Sequence, residues 1–291
     1  FLEDAIEVDV DCISDGEIQV LGAIMEHVEK AGIHSGDSAC SIPPRALSPA
    51  VCDEIRRYTH ALAKNLKVIG LMNVQYAVQH ETVFILEVNP RASRTIPYVS
   101  KAIGVPLARL AALVMAGRSL KQLGFTKEVS IRHFAFKEAV LPFNRFPGCD
   151  VLLSPEMHST GEVMGIDPDP GMAYVKSQIA AGNPLPQSGS VFLSVADHDK
   201  SEAVAMAREL TGLGYTLYAT RGTATAMRDA GIPARAVFRI SDGRPNALDL
   251  IADDDIQWIV NVPTGAKPAQ DEIRMRTEAI RRGVPITTTV R

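Results

Sequence analysis

The chemistry in this chain is densest in the stretch Thr82 to Thr95, TVFILEVNPRASRT. Val83, Phe84, Ile85, Leu86 and Val88 are β-branched, aromatic or aliphatic, which suits a strand. Glu87 interrupts that apolar run and Asn89 follows two residues on, so the pleat puts both side chains on one face. Pro90 then ends regular pairing, and Arg91 and Arg94 come next. A carboxylate and an amide oxygen side by side make a hard oxygen site suited to Mg²⁺. Two guanidinium groups beyond them suit phosphate or carboxylate, which arginine binds with a planar fork. The blander alternative is a salt-bridged acid at a strand end followed by a turn residue.

The elements that must position these groups come from the flanking sequence. Val68 to Val78 reads as a strand, and Gln79-His80-Glu81 as a short turn. A hairpin centred on His80 sets Gln75 opposite Ile85 and diagonal to Glu87, on the same face. Gln75 thereby joins the oxygen set. Upstream, Ala5 to Ile13 alternates Ile6, Val8 and Val10 with Glu7, Asp9 and Asp11, a half-buried strand with its acids on one face. By position alone those acids, Glu7 included, read as solvated. Ser14-Asp15-Gly16 is a turn, and Ile18 to Met25 a second strand. Glu26 to Ser38 packs His27, Glu29, His34, Ser35, Asp37 and Ser38 into a short loop with Gly32 and Gly36. It reads either as a ligand-lining loop or as a hydrogen-bonded surface loop.

Ser48 as N-cap and Pro49 at the first position start a helix to about Leu66, with Val51, Ile55, Tyr58, Leu62 and Leu66 as its stripe. Val105 to Ala116 is a second helix, with Leu107, Leu110, Leu113 and Val114 inward and Gly117 past its end. Residues 1–118 form one domain on this reading. Residues 119–183 form a connector with strands at Phe134–Leu141 and Glu162–Ile166 and a helix start at Asp167–Gly171. The Gly/Pro cluster Gly182-Asn183-Pro184-Leu185-Pro186 marks a boundary, and residues 184–291 follow as a second domain. Its strands fall near 191–195, 215–220, 236–240, 256–262 and 285–289, with helices at 200–212, 223–230, 247–252 and 269–282. That alternation implies a parallel sheet covered on both faces, with ligands beyond the carboxyl ends of its strands. Thr220 to Thr225 leaves a strand and opens a helix there, so free N–H groups and hydroxyls offer an anion site. The competing reading is that Thr220 and Thr223 only cap the helix. Arg239, Gly243, Arg244 and Asn261 lie on the same rim.

Composition narrows the classes. The net charge of −4 argues against a nucleic-acid binder held by bulk charge. No apolar run reaches the roughly 18 residues of a membrane span, and no signal peptide is visible. Cys12, Cys40, Cys52 and Cys149 show no metal spacing, which points to packed, reduced thiols and a cytoplasmic setting. The opening FLEDAIEVDVD, without Met and already strand-like, reads as a fragment of something longer.

Four stretches, LMNVQYAV, ILEVNPRASRTIPYVSKAIGVPLA, PEMHSTGEVMGI and MEHVEKAGIHSGDSAC, resemble the large chain of the carbamoyl-phosphate synthase family. The likeness runs along nearly the whole chain. It implies the C-terminal subdomain of the second ATP-grasp half, an antiparallel sheet with helices, followed by a parallel-sheet methylglyoxal-synthase-like allosteric domain. The implied activity is ATP-dependent phosphorylation of carbamate for arginine and pyrimidine biosynthesis, with bicarbonate and ammonia as substrates and a glutamine amidotransferase small chain as partner. Oligomers are compatible with it; nucleic acid and membrane are not implied. By the resemblance, Gln75, Glu87 and Asn89 ligate Mg²⁺ or Mn²⁺. Leu2, Glu7, Gly32, Ile33, His34, Ser35, Gln75 and Glu87 line the ATP site, while Arg91 and Arg94 hold phosphoryl and carbamate oxygens. Glu29, Asp37 and Glu138 belong where the family binds ornithine, near a K⁺ site. Lys200, Thr220, Thr223, Arg239 and Asn261 form a nucleotide-effector pocket. Two departures affect the effector: Pro263 stands where Asn-x-Thr is expected, and Ile286 where an aromatic is. The family's glycine-rich loop comes from upstream subdomains, so this chain alone is expected to make no carbamoyl phosphate. The alternatives are another ATP-grasp carboxylase or ligase, and a non-catalytic effector-binding fragment.

Overall fold

The computed structural model describes residues 2, 5–29, 31–143, 151, 153–262 and 266–290. The chain divides into two compact units, Phe1–Leu141 with Leu153–Gly182, and Pro142–Leu152 with Asn183–Arg291. The stretch read as a connector therefore does not stand apart: its two strands complete the first unit's sheet.

In chain order the first unit contains β1 (Ile6–Asp15), β2 (Gln19–His27), β3 (Cys40–Ile42), α1 (Pro49–Asn65), β4 (Ile69–Gln79) and β5 (Thr82–Asn89). Helices α2 (Ile96–Ile103) and α3 (Leu107–Met115), strands β6 (Phe134–Val140) and β7 (Gly161–Asp167), and helix α4 (Pro170–Ala181) follow. The strands form one antiparallel sheet, ordered β5-β4-β1-β2-β3-β6-β7.

Alternation along β1 splits the core into two layers. Val8, Val10 and Cys12 pack with Val51, Ile55 and Ala63 of α1 and with buried Tyr76. Ile13, Val20 and Met25 face the other way, towards Val99, Leu107 and Val114 of α2 and α3. Each fully buried Leu, Ile, Val or Phe contributes about 1.5–3 kcal/mol, so the two layers hold the sheet's position against the helices on either side. Helix α1 starts as its sequence dictates: the Ser48 hydroxyl accepts from Val51 N and proline occupies the first turn. Its inward stripe is Val51, Ile55, Thr59 and Ala63. Tyr58 and Leu62 flank it half-buried, and Leu66, expected inside, is 54% exposed because the helix has ended. Helix α4 likewise starts on Asp169, which accepts from Met172 N. Gly117 follows α3 with φ +92°, a left-handed conformation glycine adopts without strain.

The second unit holds β8 (Ser190–Val195), α5 (Lys200–Gly212), β9 (Thr216–Thr220), α6 (Arg221–Asp229), β10 (Arg235–Val237), α7 (Ala247–Ala252), β11 (Trp258–Val262), α8 (Ala266–Arg282) and β12 (Ile286–Thr287). Its sheet is parallel, in the order β10-β9-β8-β11-β12. The order reverses at β8, so the carboxyl ends of β8, β9 and β11 flank a crevice of the kind that takes ligands. Among the described residues, no single helix is long and apolar enough to cross a membrane.

Candidate functional site

The β4–β5 hairpin turns on His80 and Glu81, whose φ values of 48° and 64° define a two-residue turn of the type that matches strand twist. This pairs Gln79 with Thr82 and Tyr76 with Ile85, one residue beyond a turn centred on His80 alone. A bulge at Leu86 then adds a second step, and Gln75 pairs directly with Glu87, Asn73 with Asn89. The expected partner of Gln75, Ile85, is replaced; two single-residue shifts restore the same face. Gln75, Glu87 and Asn89 are thus brought together. Asn89 Nδ2 donates to Glu87 Oε1 at 2.7 Å, and Gln75 Nε2 donates to Ser35 Oγ at 3.1 Å. With both amide nitrogens engaged, the amide oxygens and the second carboxylate oxygen remain as hard donors. That set fits a divalent cation whose other ligands are phosphate oxygens and water. Among the described residues, no group of three His, Cys, Asp or Glu side chains could hold a metal; a site with a single carboxylate and two amides has no such signature.

The loop after β2 leans onto this face. Gly32 N donates to Glu7 Oε1 at 3.0 Å, so two residues expected to line the nucleotide touch each other. Glu7 is not solvated: it is 18% exposed and stands 3.6 Å from His27 Nδ1. His34 N donates to Ser154 O, and His34 Nδ1 accepts from Gly36 N. Ile33 and Leu2 are half-buried. Lys137, fully buried on β6, donates to Ser35 O at 2.9 Å and stands 3.7 Å from Glu162. Lys137 and Gln75 both hold Ser35, and Gln75 is the strand partner of Glu87.

The acids of β1 correct the solvated reading. Asp9 and Asp11 are 2% and 1% exposed. His27 Nε2 lies 2.8 Å from Asp9 Oδ2. Burial opposes the Asp9 charge, but the His27 contact outweighs it and lowers the Asp9 pKa. Burial also opposes a charge on His27, yet Cys40 and Asp9 raise its pKa. Asp11 is pushed up to about 6 by burial, with Thr95, Ser93 and Asn73 pulling the other way. Arg91 and Arg94 are exposed on the loop after β5; Arg91 Nη1 donates to Ala92 O, and Arg94 reaches Met157 Sδ. Arg94 and Glu162 also line a cavity of about 370 Å³ with Tyr98 and Lys101.

Glu29 and Glu138 approach each other on β6 and the loop. Burial pushes Glu138 up to about 8, with the Glu29 charge adding to it; burial raises Glu29 too. Glu29 Oε2 accepts from Ala39 N, and Glu138 accepts from Gln178. Lys137 pulls both acids the other way without outweighing their burial, and two desolvated acids side by side suit a further cationic ligand. Asp37, expected beside them, is committed elsewhere: its carboxylate accepts from His158 N and Ser159 N at 2.8 Å.

In the second unit α6 begins at Arg221, so Thr220 is the N-cap residue and Thr223 lies within the first turn. Thr220 makes no side-chain capping bond. Its hydroxyl donates to Thr223 Oγ1 at 3.2 Å, which also accepts from Val195 N at 3.3 Å. The simple cap is excluded; the first-turn N–H groups are left facing the rim. Lys200 Nζ pairs with Asp197 at 2.7 Å and lies 3.4 Å from where a Cβ on Gly222 would sit. Lys200, and more weakly Arg239, lower the Asp197 pKa, so both cations stand near this helix end. Asn261 is buried at the end of β11, one residue before Val262, the partner of Val195. Pro263 and Cys149 lie outside the described residues; Cys12, Cys40 and Cys52 are free thiols.

Sequence reasoning missed Asn73, Thr95 and Lys137; it read Asp9 and Asp11 as solvated, and it placed His27 in a polar loop although His27 ends β2 and is buried. The signal available for the acids was their uniform placement on the same face as Gln75 and Glu87.

Two family models match the chain. Residues 1–123 match "Carbamoyl-phosphate synthase L chain, ATP binding domain", and residues 202–288 match "MGS-like domain". Over its full length the chain is 52% identical to the carbamoyl phosphate synthase large chain of Nostoc sp. (strain PCC 7120), covering 27% of that protein. It is 53% identical, again over its full length and 27% of the relative, to that of Synechocystis sp. (strain PCC 6803). The chain thus spans about a quarter of the length of the curated relatives it matches. A solved biotin carboxylase domain of a single-chain bacterial carboxylase superposes with a TM-score of 0.44 at 18% identity, over 48% of this chain and 33% of that one.

Proposed function

From a chain that belongs to the carbamoyl-phosphate synthase large-chain family, we propose that the first unit supplies the cation-binding face for phosphorylating carbamate with ATP. The observation that carries this reading is the register that sets Gln75 opposite Glu87, with Asn89 on the same face and Ser35 against Gln75. Bound Mg²⁺ or Mn²⁺ would screen the phosphate charge. Glu87, Asn89 and Gln75 would hold it. Glu7, Gly32, Ile33, His34, Ser35 and Leu2 wall the nucleotide, and Arg91 and Arg94 orient the transferred phosphoryl group and the carbamate. A carbamate oxygen attacks the γ-phosphorus, the bond to the bridging oxygen breaks, and ADP leaves with its electron pair. Fixed guanidinium groups stabilise charge on the equatorial oxygens without reorganising.

In the longer protein this step makes carbamoyl phosphate from bicarbonate, ammonia and ATP for arginine and pyrimidine biosynthesis in the cytoplasm. A glutamine-hydrolysing small chain provides the nitrogen. Glu29 and Glu138 take a cationic effector such as ornithine, or K⁺, and the Thr220–Thr223 rim of the second unit takes a nucleotide phosphate.

The test is Glu87→Gln in the full-length protein, which keeps the side chain's shape and deletes its charge. ATP-dependent carbamoyl phosphate synthesis should fall by roughly a hundredfold or more, with the melting temperature unchanged. Turnover near that of the parent at saturating Mg²⁺ would make Glu87 a structural residue and reject the site.

A further inference from the structure

Asp11 lies in the middle of β1, is 1% exposed, and has no part in the site proposed above. Its carboxylate accepts from Thr95 Oγ1 at 2.6 Å and from Asn73 Nδ2 at 3.1 Å. Ser93 is hydrogen-bonded to it as well, and the Ser93 and Thr95 hydroxyls are 2.8 Å apart. A desolvated carboxylate persists only when its lone pairs are filled. Here two of the donors come from one short loop, the segment that leaves β5 after Asn89 and enters α2 at Ile96. That loop carries Arg91 and Arg94.

Thr95 shows where the contact acts. It is the N-cap residue of α2, yet its side chain makes no capping bond, because the hydroxyl is turned to Asp11. The helix forgoes a common stabilising contact, and the loop gains an anchor on a strand two places in from the sheet edge. The pairing order also sets Asn89, Asn73 and Asp11 in one row across β5, β4 and β1. One buried carboxylate therefore holds the row that ends in Asn89 and the loop that follows it.

We propose that Asp11 is a positioning residue, which fixes Arg91 and Arg94 relative to Glu87 and Asn89 through Thr95 and Ser93. It touches no reactant. The role rests on the reading of the Glu87 face as the phosphoryl-transfer site.

Two measurements test it, amide hydrogen exchange on this chain and steady-state kinetics on the full-length protein. Thr95→Val keeps the shape and removes the donor; Thr95→Ser restores it. Thr95→Val should speed exchange over residues 91–96 by about tenfold, while β1 and β4 keep the parent's protection. It should lower kcat by about tenfold with the KM for ATP within about threefold, as expected for misplaced rather than missing groups. Thr95→Ser should bring both readouts to within about twofold of the parent. Asp11→Ala added to Thr95→Val should cost less than about twofold more than the larger single loss, since both break one contact. Thr95→Val that leaves exchange and kcat at parent values overturns the role, as do losses that multiply in the double variant. Turnover that survives Glu87→Gln rejects the site and this role together. Loss with Glu87→Gln but not with Thr95→Val rejects this role alone.

Discussion

The two sheets keep their polar groups in different places. In the antiparallel sheet Asp9, Asp11, Glu26, His27 and Lys137 are all buried, and the candidate site lies on the face that carries Asp9 and Asp11, where β4 meets the edge strand β5. In the second unit Asp199, at the start of α5, is the one buried ionisable side chain among the described residues, and the candidate site lies on the rim, at strand ends. A strand covered on both faces by helices has no room for charge between its ends, so its chemistry moves to the loops. An antiparallel strand can give one stretch of one face to polar groups, provided partners reach them. Lys137, His27 and the loop at Thr95 are those partners, and each arrives from a distant part of the chain.

The largest effect that would break this contrast concerns Lys137. Lys137→Met keeps the stem and removes the charge beside Glu162, Asp9 and Glu29. Burial opposes the lysine's charge, but Cys40 and these acids raise its pKa, so the cation is the compensated species. Removing one partner of a buried ionic cluster costs about 3–5 kcal/mol. Urea unfolding of the chain should show that loss. A loss below about 1 kcal/mol, the scale of an exposed pair, would mean that the first sheet does not depend on its buried charges.

Glu138 sharpens the contrast through pH. Its folded pKa, about 8, lies above the ordinary carboxylate value of 4.5. The folded state therefore binds more protons than the unfolded state between those values, and its contribution to stability falls as pH rises through that window. Glu138→Gln should remove the slope. Melting temperatures of parent and variant should diverge in the variant's favour from pH 5 to pH 9, and ornithine at pH 8 should stabilise the parent but not the variant. A difference that does not change with pH would show that Glu138 is not held in its neutral form.

The smallest expected effect is in the second unit. Thr223→Ala deletes the hydroxyl that accepts from Val195 N and Thr220, at the helix end flanked by Lys200. It should weaken binding of uridine or inosine monophosphate, or of inorganic phosphate, by about 1 kcal/mol or more. Calorimetric titration measures this. Unchanged affinity, or no binding at millimolar concentration, would leave the rim as a helix start only.

The second unit was largely legible in its sequence, because a parallel sheet declares itself by alternation and its ligand-binding end follows from strand order. Helices α5 and α7 start and stop where the alternating pattern places them, and α7 is held at its start by an Asn246–Asp249 capping box. In the first unit Ser48-Pro49 and Asp169-Pro170 marked their helices equally well. The buried network escaped the reading for a physical reason. Alternation along β1 states that Asp9 and Asp11 share a face, but not what covers that face. The cover comes from His27, Asn73, Thr95 and Lys137, up to 128 positions away in sequence for the Asp9–Lys137 pair. Helix α2 escaped as well: it has eight residues, several of them β-branched, and a cap residue whose hydroxyl is turned elsewhere.

The bulge at Leu86 gives the hairpin an asymmetric tolerance to changes of length. Leu86 is the unpaired residue between Ile85, opposite Tyr76, and Glu87, opposite Gln75. Deleting it would close the ladder into an unbroken one and keep Glu87 opposite Gln75. Deleting Val88 instead would carry Asn89 to the opposite side of the sheet, away from Glu87. Among homologous hairpins or in a deletion library, a one-residue gap should therefore survive at the Leu86 position and be lost at Val88. The spelling of the strand can shorten by one letter there without changing what it says.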